Sequence, residues 1–314
     1  MELLTKVNIN PSDRKIGYND KILLLGSCFA DNVGEKFAEH YFQATVNPFG
    51  TLYNPASIAQ ALTDTQMPIA ETQIIRHNGL WHSMLHHGSF SHPDKEALLH
   101  RCAESRELMI SALKEVSTVI VTFGTAWVYE WHGEVVANCH KLPANQFVRR
   151  CLTVDDIVGM WQPIVASMPD KHWIFTVSPI RHIKDGLHVN QLSKSVLLQA
   201  IDSLVSNLSP QASRLDYFPS YEIMLDELRD YRFYAEDMVH PSPVAVEYIW
   251  QRFVDTYMTD DTRNEMRTLH QLWRDRHHRF LHPESDEAKH FQMRITQQLQ
   301  ELQSHYAWPR SDRG

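Results

Sequence analysis

Several things are scarce in this chain. Its 314 residues contain four cysteines, Cys28, Cys102, Cys139 and Cys151. They are widely spaced and form no CxxC pair, so neither a zinc knuckle nor a disulfide framework is expected. No window approaches 18 uninterrupted apolar residues, so no membrane-spanning helix is expected. The opening, MELLTKVNINPSDRKIGYND, lacks a basic start followed by an apolar core. That is not the pattern of a secretory signal, and the cytoplasm is the expected compartment. Lys and Arg form no block, and the formal net charge is -8. No nucleic-acid partner is expected from that balance. Internal repeats and low-complexity segments are absent.

What is present is a globular composition. A hydrophobic content of 43% over this length can bury a large core. Three short runs rich in branched and aromatic residues read as buried strands: residues 22–25, 118–123 and 173–177. Spaced by helical segments, they fit a mainly parallel sheet covered on both faces. Behind Gly26-Ser27-Cys28, the residues Phe29, Val33, Phe37 and Tyr41 recur every four positions, with Ala30, Gly34 and Ala38 beside them. This predicts a helix with a small-residue stripe for close packing. Further helices are expected over 97–116, over 193–208, and after His240-Pro241-Ser242, where Val246, Ile249 and Phe253 point inward and Ser242 caps. From about Asp260 the chain becomes charged and His-rich. Two amphipathic helices with a turn at His282-Pro283-Glu284-Ser285 are expected there. The expected organisation is a domain over 1–257 and a C-terminal helical extension over 258–314.

Two segments could carry chemistry. A strand that ends in Gly26-Ser27-Cys28 and passes into a helix puts Ser27 at the carboxyl edge of a sheet. It also puts the next backbone N–H groups at a helix N-terminus. A serine there either caps the helix or acts as a nucleophile, if a base can reach it. Far along the chain, Asp237-Met238-Val239-His240 spaces a carboxylate and an imidazole three residues apart. The pair can fix one imidazole tautomer and stabilise its protonated form. Cys28 at the helix start reads as a packed side chain rather than a thiolate. His82 and His86 would share a helical face, but they lack a third ligand or an intervening Glu, so no metal is expected. Arg181 and His182 follow a strand end and fall near the active edge, as substrate contacts or as a structural ion pair.

Taken together, these motifs resemble the SGNH (GDSL-like) hydrolases, and within them the bacterial GSCFA family. Gly26-Ser27-Cys28-Phe29-Ala30 reproduces the motif of that name. Asn47-Pro48-Phe49-Gly50, Phe123-Gly124-Thr125-Ala126-Trp127, Val136-Ala137-Asn138-Cys139-His140-Lys141 and Ser178-Pro179-Ile180-Arg181-His182 are similar to other blocks of the family. The resemblance covers about residues 1–257. It implies a three-layer α/β fold and acyl-ester chemistry without a cofactor, on a glycan or other small polar ester. Ser27 would be the nucleophile, His240 the base and Asp237 its orienting carboxylate. SGNH oxyanion holes use the nucleophile's own N–H, a glycine N–H and an asparagine side chain. Gly50 is the candidate glycine, and Cys28, Arg181 and His182 border the same edge. The chain departs from the pattern at Ala126, where a GxN turn expects Asn. Asn138 is the expected substitute, with Asn47 and Asn54 behind it. Esterase and acyltransferase remain equivalent at this level. The rival expectation is a binding module that keeps the pocket without turnover.

Overall fold

The computed structural model describes residues 4–63, 69–208 and 214–306. The expected extension therefore runs beyond the described residues over 307–314.

The first half of the chain supplies β1 (Lys21–Gly26), α1 (Cys28–Glu39), β2 (Gln43–Val46), α2 (Pro55–Thr63), β3 (Ile74–His77), β4 (Leu80–Ser83), α3 (Lys95–Glu115) and β5 (Thr118–Phe123). The second half adds β6 (Trp127–Trp131), β7 (Glu134–Val136), β8 (Val148–Cys151), α4 (Val154–Ser167), β9 (His172–Val177), α5 (Leu187–Leu208) and β10 (Leu215–Phe218). It ends with a short α6 (Ser220–Glu222), a π turn over Ile223–Leu228, α7 (Pro243–Tyr257), α8 (Asp260–Arg276) and α9 (Asp286–Tyr306).

Five strands form one sheet in the order β10-β9-β5-β1-β2, every neighbouring pair parallel. Strands buried on both faces should be mostly apolar, and the middles of β1, β5 and β9 are. Leu23 and Leu25 of β1 point into one apolar cluster, while Ile22 and Leu24 point into the other. Val119, Val121 and Phe123 oppose Ile120 in the same way, and Trp173, Phe175 and Val177 oppose Ile174. The first cluster is closed by α2, α3, α4 and α5 through residues such as Ile58, Met109, Trp161 and Leu197. The second is closed by α1, α7 and α8 through Phe29, Phe37, Ile249, Phe253 and Leu269. The result is a helix–sheet–helix sandwich, the expected three-layer α/β arrangement with C-terminal helices.

The three runs expected as strands are all strands, with β1 and β9 extended by one or two residues. Helix α1 stops earlier than its periodicity suggests. Tyr41 lies past its end at φ +60°, and Val33 is only half-buried. Two residues of the small-residue stripe do the expected work, Ala30 and Gly34, where a Cβ would meet Val46 Cγ2 at 2.5 Å, while Ala38 is exposed. The antiparallel pair β3-β4 and the three-stranded β7-β6-β8 are additions that the sequence reading leaves out. His82 lies in β4, not on a helix. Its ring bonds Ser91 Oγ and His77 O, while His86 sits between Ser83 Oγ and Ser105 Oγ. These two histidines are satisfied core groups. No described helix is long and apolar enough to cross a membrane.

Candidate active site

Parallel sheets gather the loops that follow their strands at one edge. Here that edge collects the ends of β1, β5 and β9 and the loop before α7. Gly26 opens the site. Its φ is +133°, and a Cβ there would lie 2.1 Å from Thr122 O, so only glycine fits between β1 and β5. Ser27 follows as the N-cap of α1. Its Oγ accepts from Phe29 N at 3.3 Å and its own N–H donates to Thr122 O at 3.1 Å. The residue is 1% exposed. Both expectations for Ser27, a cap and a residue at the sheet edge, describe its position.

The 47–53 loop is stitched over this turn. Asn47 accepts from Gly26 N through Oδ1 at 2.8 Å and donates through Nδ2 to Asp31 Oδ1 at 2.6 Å. Asp31 Oδ2 also accepts from Thr51 Oγ1. Gly50 N–H is committed to Asn47 O at 2.7 Å, closing a turn. Asn54 caps α2 on Ser57. Tyr53 O accepts two amides, from Gly124 at 2.8 Å and Thr125 at 2.9 Å. Gly124 is packed tightly, since a Cβ on it would lie 2.9 Å from Tyr53 O, 3.3 Å from Ser27 Cβ and 3.5 Å from His182 Nε2. The ends of β1, β5 and β9 thus converge on one point.

His182 stands edge-on to Tyr53, ring centroids 6.3 Å apart. Its Nε2 is buried without a well-formed hydrogen bond. Burial, then the charge Lys194 carries when protonated, lower its pKa to about 4, so it is neutral near pH 7. Cys28 is half-buried, and burial pushes its thiol pKa up, as fits a packed thiol.

The DxxH loop is built as a unit. Asp237 Oδ1 accepts from Val239 N at 2.9 Å and His240 N at 3.0 Å, and Oδ2 meets His240 Nδ1 at 2.5 Å. These backbone and side-chain donors from His240 and Val239 hold the Asp237 carboxyl down at about 2. With Nδ1–H donated to the carboxylate, Nε2 carries the free lone pair. The two side chains are 46% and 49% exposed. Arg181 fastens the loop to the end of β9: its N–H donates to Val239 O, its guanidinium donates to Met238 O, and the same group lies 4.5 Å over the Tyr234 ring. Arg181 therefore positions the loop. His182 follows Arg181 directly, so it lies beside the point where the DxxH loop is fastened. Ser27 Oγ makes no hydrogen bond to His240 in this conformation, its partner being Phe29 N.

Asn138 sits in the loop after β7, against the 87–88 turn whose His87 packs on Gly50. Its Oδ1 accepts from His140 N at 2.8 Å, an Asx turn, and its Nδ2 is 3.7 Å from where a Gly88 Cβ would be. No hydrogen bond joins it to the Ser27 turn. At Ala126, the backbone N–H donates to Ser193 Oγ at 2.8 Å.

Lys194 is a site residue that the sequence reading misses. It is 1% exposed, and its Nζ donates to Gly124 O and Ser178 O, both at 2.7 Å, tying the end of β5 to the end of β9. Burial lowers its pKa to about 7. A signal for it exists in the sequence: Lys194 heads the buried stripe Leu197, Ile201 and Leu204 of α5. A lysine on the apolar face of a helix needs a polar partner inside the protein.

No curated protein matches the chain. The family model described as the GSCFA family matches residues 21–253, most of the chain and all of the strands, turns and loops that build this edge, and the chain belongs to the GSCFA family.

Proposed function

We propose that this GSCFA protein is a serine hydrolase of the SGNH type that cleaves or transfers an acyl ester carried by a glycan or other small polar molecule. The observation that carries the reading is the 2.5 Å Asp237–His240 hydrogen bond, which leaves Nε2 free as a base. The loop bearing it is bonded to the end of β9, the strand next to the β1–β5 pair that presents Ser27.

In the reaction, Ser27 Oγ leaves Phe29 N–H and attacks the acyl carbonyl while His240 Nε2 takes the hydroxyl proton. The tetrahedral oxyanion gathers at the positive N-terminus of α1. Collapse breaks the ester C–O bond, and the departing alkoxide receives the proton from His240. Water or an acceptor hydroxyl then releases the acyl group from Ser27 by the same steps in reverse. The amides of Ser27 and Gly50 are engaged in the resting structure by Thr122 O and Asn47 O, so a donor available to the oxyanion is the Phe29 N–H that Ser27 Oγ releases on attack. Neutral His182 lines the entrance beside Tyr53.

A second reading is supported by the burial of Ser27 and by Ala126 in place of an oxyanion asparagine: a binding module with this pocket and no turnover. The two readings separate on a panel of p-nitrophenyl esters and acetylated sugars. Hydrolysis that disappears in Ser27→Ala and falls at least 10³-fold in His240→Ala supports the enzyme. Turnover unchanged in Ser27→Ala, or substrate binding without any turnover, rejects it.

A further inference from the structure

A second polar cluster lies away from Ser27, where the C-terminal helices meet the family domain. Helix α1 ends at Glu39, and His40 is its C-cap. Helix α8 brings His270 from 230 positions further along the chain, and the two imidazoles stack with centroids 4.6 Å apart at 24°. His40 is buried. Its Nδ1 lies 2.7 Å from Lys36 O. A carbonyl only accepts, so Nδ1 carries the proton and Nε2 presents a lone pair. This is the outer-shell arrangement that orients ligating histidines. His270 Nδ1 is buried with no hydrogen-bond partner, which costs free energy unless something fills the gap. One oxygen of Glu39 completes the set, and ligand atoms of all three residues lie within 4.8 Å of one another.

The surrounding charges are balanced for a cation. Lys36 Nζ bridges Glu39 at 2.8 Å and Glu247 of α7 at 3.0 Å. Arg274 is the other cation near His270.

We propose that Glu39, His40 and His270 bind one divalent transition-metal ion of the Zn²⁺ type, which staples α8 to the end of α1. Two imidazoles and one carboxylate suit Zn²⁺, Co²⁺ or Ni²⁺ rather than Mg²⁺ or Ca²⁺, which favour all-oxygen sites. Ligand bonds of about 2.0–2.2 Å require the imidazoles to turn out of their stack, so that lone pairs lying in the ring planes meet at one point, and the three side chains to close inward. Lys36 releases Glu39 and keeps Glu247, and water or Glu247 takes the fourth position. The role is structural, joining the C-terminal helices to the domain, and is independent of Ser27.

The test uses the full chain, stripped with EDTA and titrated with Zn²⁺ or Co²⁺. One equivalent is expected to bind saturably and raise the melting temperature by about 3 °C or more at saturating metal. His270→Ala and His40→Gln should weaken binding at least tenfold, while His282→Ala, on the exposed turn before α9, should not. X-ray absorption at the zinc edge of the loaded wild type should show two imidazoles. That readout keeps the test decisive if a variant fails to fold. Absence of saturable binding, equal affinity in His270→Ala, or a spectrum with no imidazole pair would overturn the site and leave only adventitious binding at other histidines.

Discussion

At the scale of single residues, the candidate site depends on a few groups placed where their chemistry is constrained. Asp237 is the clearest. It spends both oxygens on the His240 segment, so its carboxylate sets the imidazole tautomer. Asp237→Asn should preserve the loop but present the wrong ring nitrogen, lowering kcat by roughly 10⁴. Equal kcat in the variant, measured on any ester that the wild type turns over, would remove Asp237 from the mechanism. Lys194 is the most unusual group. Two carbonyls accept from its Nζ, and no third hydrogen-bond acceptor for it is found among the described residues. Two N–H bonds are what a neutral amine offers, in keeping with its lowered pKa of about 7. The sign of the linkage follows. Between about pH 7 and the ordinary lysine range near 10.4 the unfolded chain binds the extra proton, so Lys194 makes stability rise with pH across that window. Below about pH 7 both states are protonated and the slope vanishes. Urea midpoints between pH 7 and 9 should therefore climb in the wild type relative to Lys194→Met. Parallel curves would show that the amine is not desolvated.

At the scale of elements, the strand–turn–helix at β1 and α1 is the hinge of the account. Gly26→Ala places a methyl 2.1 Å from Thr122 O at a φ that L-residues avoid. It should destabilise the protein by more than about 3 kcal/mol, seen as a fall in the urea midpoint. A loss below about 1 kcal/mol would mean that the β1–β5 contact is softer than described. Much of this element was legible in the sequence. Its strand is apolar over residues 22–25 because both faces are buried there, and its helix carries a four-residue period. β2 and β10 were not legible, because four-residue edge strands such as Gln43–Val46 are half-buried and carry mixed side chains. The small β6 to β8 sheet is hidden for the same reason, with charged residues such as Arg149 and Arg150 in β8. In the site, residues joined by local spacing were readable: Asp237 with His240, and Ser27 with its helix. Lys194 was not, since its partners Gly124 and Ser178 are set by the packing of α5 across the sheet. Asn138 shows the converse. An asparagine in a loop can close a turn on its own backbone or donate elsewhere, and its Oδ1 does the first, accepting from His140 N, while Nδ2 is not used in that bond.

At the scale of the whole molecule, the C-terminal helices are not a loose appendix. Met266 and Leu269 of α8 are buried in the same apolar cluster as Phe37 and Trp250. Leu269→Ala should therefore lower global stability by about 2–5 kcal/mol, with a single transition by tryptophan fluorescence and by circular dichroism. Two separate transitions, with the domain's midpoint unchanged, would show that the extension unfolds alone. The same architecture explains the position of the active edge. Five parallel strands deliver β1, β5 and β9 to one side, the loops after them interlock through Tyr53, Gly124 and Lys194, and Arg181 fastens the DxxH loop to that rim. The site is tightly closed at rest, so the chemistry depends on Ser27 becoming reachable. Labelling with a fluorophosphonate and mapping the adduct by peptide mass tests this most directly. The account predicts a single phosphonylated residue, Ser27, with labelling lost in Ser27→Ala and slowed at least a hundredfold in His240→Ala. An unlabelled native protein, or an adduct on any other residue, would contradict it.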